Sequence, residues 1–169
     1  MVDAGSARRN ARTPVDMCSL DAGYRSANEW RNVMATVMRG GCLCGKVRYE
    51  ITAEPSLVAV CHCTHCQRQS GSAFALLAAV PRGELHVDGE LATFHDKGDS
   101  GQPALRRFCP DCGSPIVSDV AVTPDLAWVK AGTLDDRSAL RPTMQIFCDS
   151  KEPWLALEGL ESYPGMPDL

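Results

Sequence analysis

Seven of the nine cysteines in this chain fall in three short groups, and their spacing constrains the possible folds more than any other feature. Three of them occur within the six residues Cys61-His62-Cys63-Thr64-His65-Cys66. Around a tetrahedral zinc ion with Zn–S bonds of ~2.3 Å, neighbouring sulfurs lie roughly 3.8 Å apart, and Cys-x-Cys and Cys-x-x-Cys spacings reach that separation where the backbone bends. We name Cys61, Cys63 and Cys66 the three-cysteine cluster. Three protein ligands with an open position are typical of catalytic zinc, so this cluster predicts a catalytic site.

The other four clustered cysteines form two pairs that are far apart in the sequence. One pair lies in Cys42-Leu43-Cys44-Gly45 and the other in Cys109-Pro110-Asp111-Cys112-Gly113. Together they supply four thiolates, which close a structural zinc site. Gly113 tolerates the positive φ that lets the chain fold back with its amides toward the sulfurs. We name Cys42, Cys44, Cys109 and Cys112 the four-cysteine cluster, and we predict one zinc ion in each cluster and two per chain.

Composition and charge narrow the class of protein. At 169 residues the chain fits one domain with a modest core, to which metal sites add useful stability. The odd cysteine count, with no signal-peptide pattern and no apolar run long enough to span a bilayer, predicts a reducing cytoplasm, where such cysteine patterns bind metal. Seven thiolates and two zinc ions would take the formal charge from −4 to about −7. That acidity predicts no nucleic-acid partner, and we expect no membrane association.

Three segments of the chain differ in pattern. Residues 1–37 lack a helical or strand period and mix arginines with acidic residues, so we predict a disordered N-terminal extension. Residues 38–163 carry the three groups of cysteines and form the predicted zinc domain, and residues 164–169 are predicted to be a loose tail. Cys18 lies in the extension and has no assigned role. Cys148 ends an apolar stretch and is expected to be a buried thiol.

Between the cysteines the sequence predicts short β-strands. Residues 46–52 alternate strictly, with Val47, Tyr49 and Ile51 on one face. An apolar strand over 57–61 carries the first cysteine of the three-cysteine cluster at its end, and 64–70 are predicted to form a short helical turn. Further strands are predicted at 73–80, 84–87, 91–95, 105–109, 116–118, 126–131 and 143–148. Short strands at this spacing predict an all-β domain.

Taken in order along the chain, these motifs resemble the glutathione-dependent formaldehyde-activating enzyme family, whose domain is shared with centromere protein V. The similarity covers about residues 39–163 and consists of four motifs. They are Gly41-Cys42-Leu43-Cys44-Gly45, then Cys61-His62-Cys63-Thr64-His65-Cys66 with Ser70-Gly71-Ser72-Ala73-Phe74, then Arg107-Phe108-Cys109-Pro110-Asp111-Cys112-Gly113-Ser114, and last Ser150-Lys151-Glu152-Pro153-Trp154.

The resemblance implies a β-rich fold of small antiparallel sheets pinned by a structural zinc at the four-cysteine cluster. It also implies a catalytic zinc at the three-cysteine cluster and a carbon–sulfur lyase reaction. In that reaction glutathione adds to formaldehyde to give S-(hydroxymethyl)glutathione, or the adduct is cleaved, so the expected partners are a small thiol such as glutathione and a small aldehyde. The chain departs from the family at Gln67, where the family often has Arg. We expect Arg68 or the amides around Gly71 to offset the thiolate charge.

Two alternatives remain open from the sequence. His62 or His65 would complete the three-cysteine cluster as a second structural site, although alternation at a strand end aims His62 away from the cysteines. The protein would then be a non-catalytic zinc-binding interaction module. A thiol redox enzyme resembling methionine sulfoxide reductase B is the other alternative, and it would need a reactive cysteine free of metal.

Overall fold

The computed structural model describes residues 37–98 and 101–168. Across these residues the chain forms eleven β-strands, one short α-helix and three 3-10 turns, which confirms the predicted all-β class. The predicted N-terminal extension, apart from Val37, lies outside the described residues, and so does Cys18. No helix in this part of the chain is long and apolar enough to cross a membrane.

The elements follow one another with short connections. The first strands and the helix are β1 Met38–Gly41, β2 Arg48–Ile51, β3 Leu57–Cys61, α1 Thr64–Ser70, β4 Ala75–Pro81 and β5 Leu85–Asp88. The later strands are β6 Ala92–Lys97, β7 Pro103–Phe108, β8 Pro115–Val120, β9 Leu126–Lys130, β10 Met144–Ile146 and β11 Glu161–Ser162. The 3-10 turns are Arg82–Glu84, Ala131–Thr133 and Cys148–Ser150.

The strands form two sheets of unequal size. The smaller sheet is antiparallel, with the strand order β1-β2-β5, and the larger sheet has eight strands in the order β11-β10-β3-β4-β9-β8-β7-β6. β10 pairs in parallel with both β3 and β11, whereas the other pairings are antiparallel. The family resemblance implied small antiparallel sheets, so the larger sheet differs in its size and in these two parallel pairings. A long connection between β3 and β10 makes the parallel pairing possible.

The sequence predicts nine of the eleven strands, with ends that agree within two residues. It misses β1 and β11. β1 contains two glycines, which have low strand propensity, and one of them is needed for packing. A Cβ on Gly40 would lie 2.3 Å from the hydroxyl oxygen of Tyr49, its cross-strand partner. β11 has only two residues, both exposed, and only its pairing with β10 defines it.

The central strands β4 and β9 of the larger sheet are buried on both faces because both faces are covered there. Along β4, Ala78 and Val80 belong to the same core cluster as Tyr49 of the small sheet. Leu77 alternates to the opposite face and packs in a second cluster with Trp128 and the three-cysteine cluster. One face of the sheet therefore builds the main core, and the other carries the candidate catalytic site.

The C-terminal segment returns to the turn after β10. The amide of Phe147 donates a hydrogen bond to the Gly165 carbonyl at 3.3 Å, and the amide of Cys148 donates to the Tyr163 carbonyl at 2.9 Å. Residues 164–168, predicted as a loose tail, therefore contact the rest of the fold, while the domain boundary at residue 163 stays a prediction. Cys148 is partly exposed and not buried as expected.

Candidate metal centres and cavity

The four-cysteine cluster joins two tight turns that are far apart in the sequence. Its four sulfurs all lie within 4.8 Å of one another. The Sγ atom of Cys44 lies 3.4 Å from that of Cys42 and 3.7 Å from that of Cys109, which is 65 positions away. These separations are close to the roughly 3.8 Å between sulfurs around tetrahedral zinc. The cluster can therefore hold a metal ion with four protein ligands.

Backbone hydrogen bonds shape both turns around the sulfurs. In the first turn, the Val47 amide donates to Sγ of Cys42 at 3.2 Å. In the second turn, Gly113 has a φ of 71°, as the sequence predicts, and its amide donates back across the turn at 2.9 Å. The Leu43 amide links the two turns by donating to Oγ of Ser114 at 3.0 Å.

The pKa values of Cys112 and Cys44 are shifted in opposite directions. The pKa of Cys112 is lowered to about 5. The largest cause is a hydrogen bond from the Ser114 hydroxyl, which lies 3.3 Å from the Cys112 sulfur. The amide of Lys46 favours the thiolate of Cys44, yet its sulfur neighbours, Cys42 foremost, raise the pKa of Cys44 to about 12. Thiolates held this close repel one another, and a bound cation would offset that repulsion.

The three-cysteine cluster forms where β3 ends and α1 begins. Cys61 is the last residue of β3, and Cys63 is the N-cap of α1, where its sulfur accepts a hydrogen bond from the Cys66 amide at 3.3 Å. All three residues are buried, and their sulfurs lie within 4.8 Å of one another. The strand-to-helix junction thus brings three thiols to one point, and the cluster can hold a metal ion.

Both histidines of this motif point to other partners. His62 is fully buried, its Nε2 atom lies 3.2 Å from Oε1 of Gln145, and its ring meets Phe74 edge-on. Burial lowers the pKa of His62, which favours the neutral ring. Nδ1 of His65 lies 2.8 Å from Oδ2 of Asp96. Among the described residues, the metal-binding group at this junction consists of the three cysteines alone.

A cavity of about 400 Å³ opens at the three-cysteine cluster. All three cysteines line it, together with Arg106 of β7 and Lys130 of β9. The other walls are mainly apolar and include Leu77, Val120, Trp128, Ile146, Phe147 and Met166. A ligand that reaches the sulfurs therefore occupies a largely apolar space.

The sequence analysis missed the two cations beside the cluster. Arg106 is 8% exposed and Lys130 is 6% exposed. Both are strand residues. Which face of a strand is turned toward the cavity depends on how the strands pair in the sheet. One signal was present in the sequence, because Lys130 follows Trp128 by two positions in an apolar strand and therefore shares its face.

These cations stabilise a thiolate in the cluster. The pKa of Cys66 is lowered to about 2, because the thiols of Cys61 and Cys63 donate hydrogen bonds to its sulfur, with further stabilisation from the charges of Lys130 and Arg106. The pKa of Cys61 is raised because its thiol serves as a donor. Burial lowers the pKa of Lys130, and the thiolates oppose that shift.

Asp96 holds Arg106 in place. Nε of Arg106 donates to Oδ2 of Asp96 at 2.6 Å, and its NH1 donates to Oε1 of Gln69 at 3.3 Å. Burial disfavours the charged guanidinium, yet Asp96 and the Cys66 thiolate raise the pKa of Arg106. Burial also opposes ionisation of Asp96, but hydrogen bonds from Arg106 and His65 lower its pKa. Arg106 therefore stays positively charged at the cavity wall, paired with the carboxylate of Asp96.

Arg68 and Gly71, which we expected from the sequence to offset the thiolate charge, do not line the cavity. Arg68 is exposed and lies outside the cavity lining. The amide of Gly71 caps α1 by donating to the carbonyl of Gln67. The side chain of Gln67 donates from Nε2 to the carbonyls of His62 at 2.8 Å and Ser150 at 2.9 Å. Gln67 thus ties α1 to the turn after β10.

Together, the fold and the site define a β-sheet protein with two cysteine clusters that can bind metal ions, one of them beside a ligand-sized cavity. The sequence profile of the glutathione-dependent formaldehyde-activating enzymes matches residues 37–150, which is more than half of the chain. The chain therefore belongs to this family.

No curated protein matches the chain in a sequence search. Among solved structures, the chain is similar to a Rhodobacter sphaeroides protein whose crystal structure was a structural-genomics target. The two share 22% identity and a TM-score of 0.49, over 75% of this chain and 99% of that one.

Proposed function

We propose that this protein is a zinc-dependent carbon–sulfur lyase that joins a small thiol to a small aldehyde and cleaves the adduct. The name of the family specifies glutathione and formaldehyde. Addition of that thiol to that aldehyde would give S-(hydroxymethyl)glutathione. The observation that carries the proposal is that three buried cysteines, with no fourth protein ligand among the described residues, line a cavity. We place the reaction in a reducing cytoplasm, with no nucleic-acid or membrane partner.

The donor set supports zinc in both clusters. Thiolate sulfur is a soft ligand, and three or four sulfurs at these separations suit a tetrahedral ion. Four ligands in the four-cysteine cluster match a structural site, and three in the other cluster match a catalytic site. When bound there, zinc would depress the pKa of a substrate thiol and so supply a thiolate nucleophile at neutral pH.

The chain's own residues prepare the cavity for a negatively charged sulfur. Lys130 and Arg106 contribute positive charge beside the three cysteine sulfurs, and Asp96 fixes the Arg106 side chain by accepting a hydrogen bond. Apolar walls exclude water, which strengthens these electrostatic interactions. The same cations would stabilise the negative charge that develops on the aldehyde oxygen as the carbon–sulfur bond forms.

The four-cysteine cluster has a structural role in this proposal. It joins the turn between β1 and β2 to the turn between β7 and β8, so it connects one strand hairpin of each sheet. Because β7 carries Arg106, this connection also helps to position the wall of the cavity.

Exchange NMR spectroscopy tests the proposal by measuring adduct formation from formaldehyde with glutathione or 2-mercaptoethanol. Zinc-loaded protein should raise the rate above the spontaneous reaction with at least one thiol. Cys63→Ser should abolish the acceleration, whereas Cys148→Ser, which changes a thiol outside both clusters, should retain it. No acceleration by the unmodified protein, or full acceleration by Cys63→Ser, would refute the proposed function.

A further inference from the structure

We propose that the thiol substrate of this site carries an apolar substituent, which lies in the cavity beside the three-cysteine cluster. This inference rests on the proposed function and narrows its substrate class. The thiol R–SH adds to an aldehyde through one new sulfur–carbon bond, while the carbonyl π bond breaks and the thiol proton passes to the carbonyl oxygen. The group R is the part that the cavity selects.

The shape and chemistry of the walls favour an apolar group. Trp128, Ile146, Phe147 and Met166 line the same cavity as the three cysteines, although they come from β9, β10 and two later segments. A thiol with its sulfur at the cluster therefore has apolar side chains around its next atoms. Burying an apolar substituent there removes it from water, at about 25 cal/mol for each Å² buried.

The charges in the cavity do not suit glutathione, which carries two carboxylates and an ammonium group. Among the described residues, Arg106 and Lys130 are the cations that line the cavity. Arg106 is already hydrogen-bonded to Asp96 and Gln69. Lys130 is 6% exposed and lines the cavity together with the three cysteines of the cluster. Carboxylates buried against the remaining walls would lose hydration without gaining a paired charge, which is unfavourable.

The backbone at Phe147 supports a ligand-binding role for this wall. Phe147 has a φ of 58°, and it is the one residue other than glycine with a positive φ in the described part of the chain. Hydrogen bonds from the amides of Phe147 and Cys148 to the carbonyls of Gly165 and Tyr163 hold this conformation. An aromatic residue in the left-handed region is strained, and such strain is concentrated at ligand sites. We assign Phe147 as a residue that determines specificity.

Isothermal titration of the zinc-loaded full chain with phenylmethanethiol and with glutathione tests the inference. We expect phenylmethanethiol to bind at least tenfold more tightly. If glutathione binds equally well or better, the inference is wrong while the proposed thiol chemistry stands. If neither thiol binds, both the inference and the proposed function are refuted.

Phe147→Gly sharpens the test, because it removes the ring at a backbone position that glycine adopts without strain. It should weaken phenylmethanethiol binding about tenfold, the effect of losing a contact in an apolar pocket, and change glutathione binding less than twofold. Phe94→Ala removes a ring that is 60% exposed and outside the cavity lining, so it should change neither affinity. Equal weakening of both thiols by Phe147→Gly would contradict the assigned role.

A second variant reverses the preference and keeps the test valid if Phe147→Gly fails to fold. Val122 lies at the cavity and is 51% exposed, so Val122→Lys adds a cation at low cost to folding. We expect it to weaken phenylmethanethiol binding and to strengthen glutathione binding, which lowers the affinity ratio at least fivefold. An unchanged ratio would refute an apolar cavity as the source of specificity.

Discussion

The Nε2 atom of Gln67 donates a hydrogen bond to the carbonyl oxygen of Ser150 at 2.9 Å, although Ser150 is 83 positions further along the chain. The same nitrogen donates to the carbonyl of His62 at 2.8 Å. Helix α1, the end of β3 and the turn after β10 are therefore joined by one amide group. Phe147, which lines the cavity, immediately precedes that turn. Gln67, which stands where the family often has Arg, thus connects the three-cysteine cluster to the cavity wall at Phe147.

Replacing Gln67 by Glu should destabilise the protein by about 2 kcal/mol, because a carboxylate cannot donate to the two carbonyls and its charge is placed next to their oxygens. Gln69→Glu is the matched control. Oε1 of Gln69 accepts a hydrogen bond from Arg106, and Glu retains such an acceptor. Urea unfolding of both zinc-loaded variants measures the difference, and equal stability of the two variants would contradict this account.

Cysteine-to-serine changes should affect the two clusters differently. A structural zinc contributes about 10–16 kcal/mol of apparent binding free energy, comparable to the ~5–15 kcal/mol stability of a whole domain. Cys109→Ser should therefore give unfolded or insoluble protein, because it breaks a link between distant turns. Cys63→Ser should stay folded with about one zinc ion per chain, because its cluster closes only a short loop.

Circular dichroism and elemental analysis of the two cysteine variants provide the measurement. The unmodified chain should contain about two zinc ions, one for each cluster. If Cys63→Ser unfolds as completely as Cys109→Ser, the three-cysteine cluster is structural, and an interaction module explains the protein better than an enzyme does.

Gly113→Ala should lower the free energy of unfolding by about 1–2 kcal/mol, the cost of a left-handed conformation for an L-residue. The position has a φ of 71°, and an added Cβ would meet nothing within 4 Å, so backbone strain is the whole effect. Gly132→Ala is the control, since that Cβ also meets open space but the backbone φ is not positive. Denaturant unfolding should show no loss of stability in the control.

Alkaline pH should reveal the burial of Tyr49, because burial raises its pKa to about 12 from about 10 in the unfolded chain. The native state binds this proton more tightly, so its contribution to stability is complete below about pH 10 and is lost as the pH rises toward 12. A shift of about two pKa units corresponds to about 2.7 kcal/mol.

Tyr49→Phe lacks the ionisable hydroxyl and isolates this effect from other groups that titrate at high pH. Between about pH 9 and pH 12, unmodified protein should lose about 2–3 kcal/mol more stability than Tyr49→Phe does. A constant difference between the two proteins over that range would show that the hydroxyl ionises equally in both states.

The sequence by itself determined the features that depend on neighbouring residues. Within each group, the spacing of the cysteines brings the sulfurs close enough to share an ion, because only one or two residues separate neighbouring cysteines. Alternation and turn residues predicted nine strands and the all-β class. Gly113 was predictable too, because a tight turn demands a positive φ whatever surrounds it. The family motifs added an expected reaction, which the matching profile supports at the level of the family.

Tertiary structure alone decided how the site is completed. Arg106 and Lys130 lie beside the three-cysteine cluster because β7, β8, β9 and β4 pair in one register, and a shift of one residue would turn both side chains to the other face. Phe147 reaches the cavity because β10 pairs in parallel with β3, across more than eighty residues. No local pattern encodes these pairings, since they arise from the packing of apolar faces that meet only when the whole chain has folded.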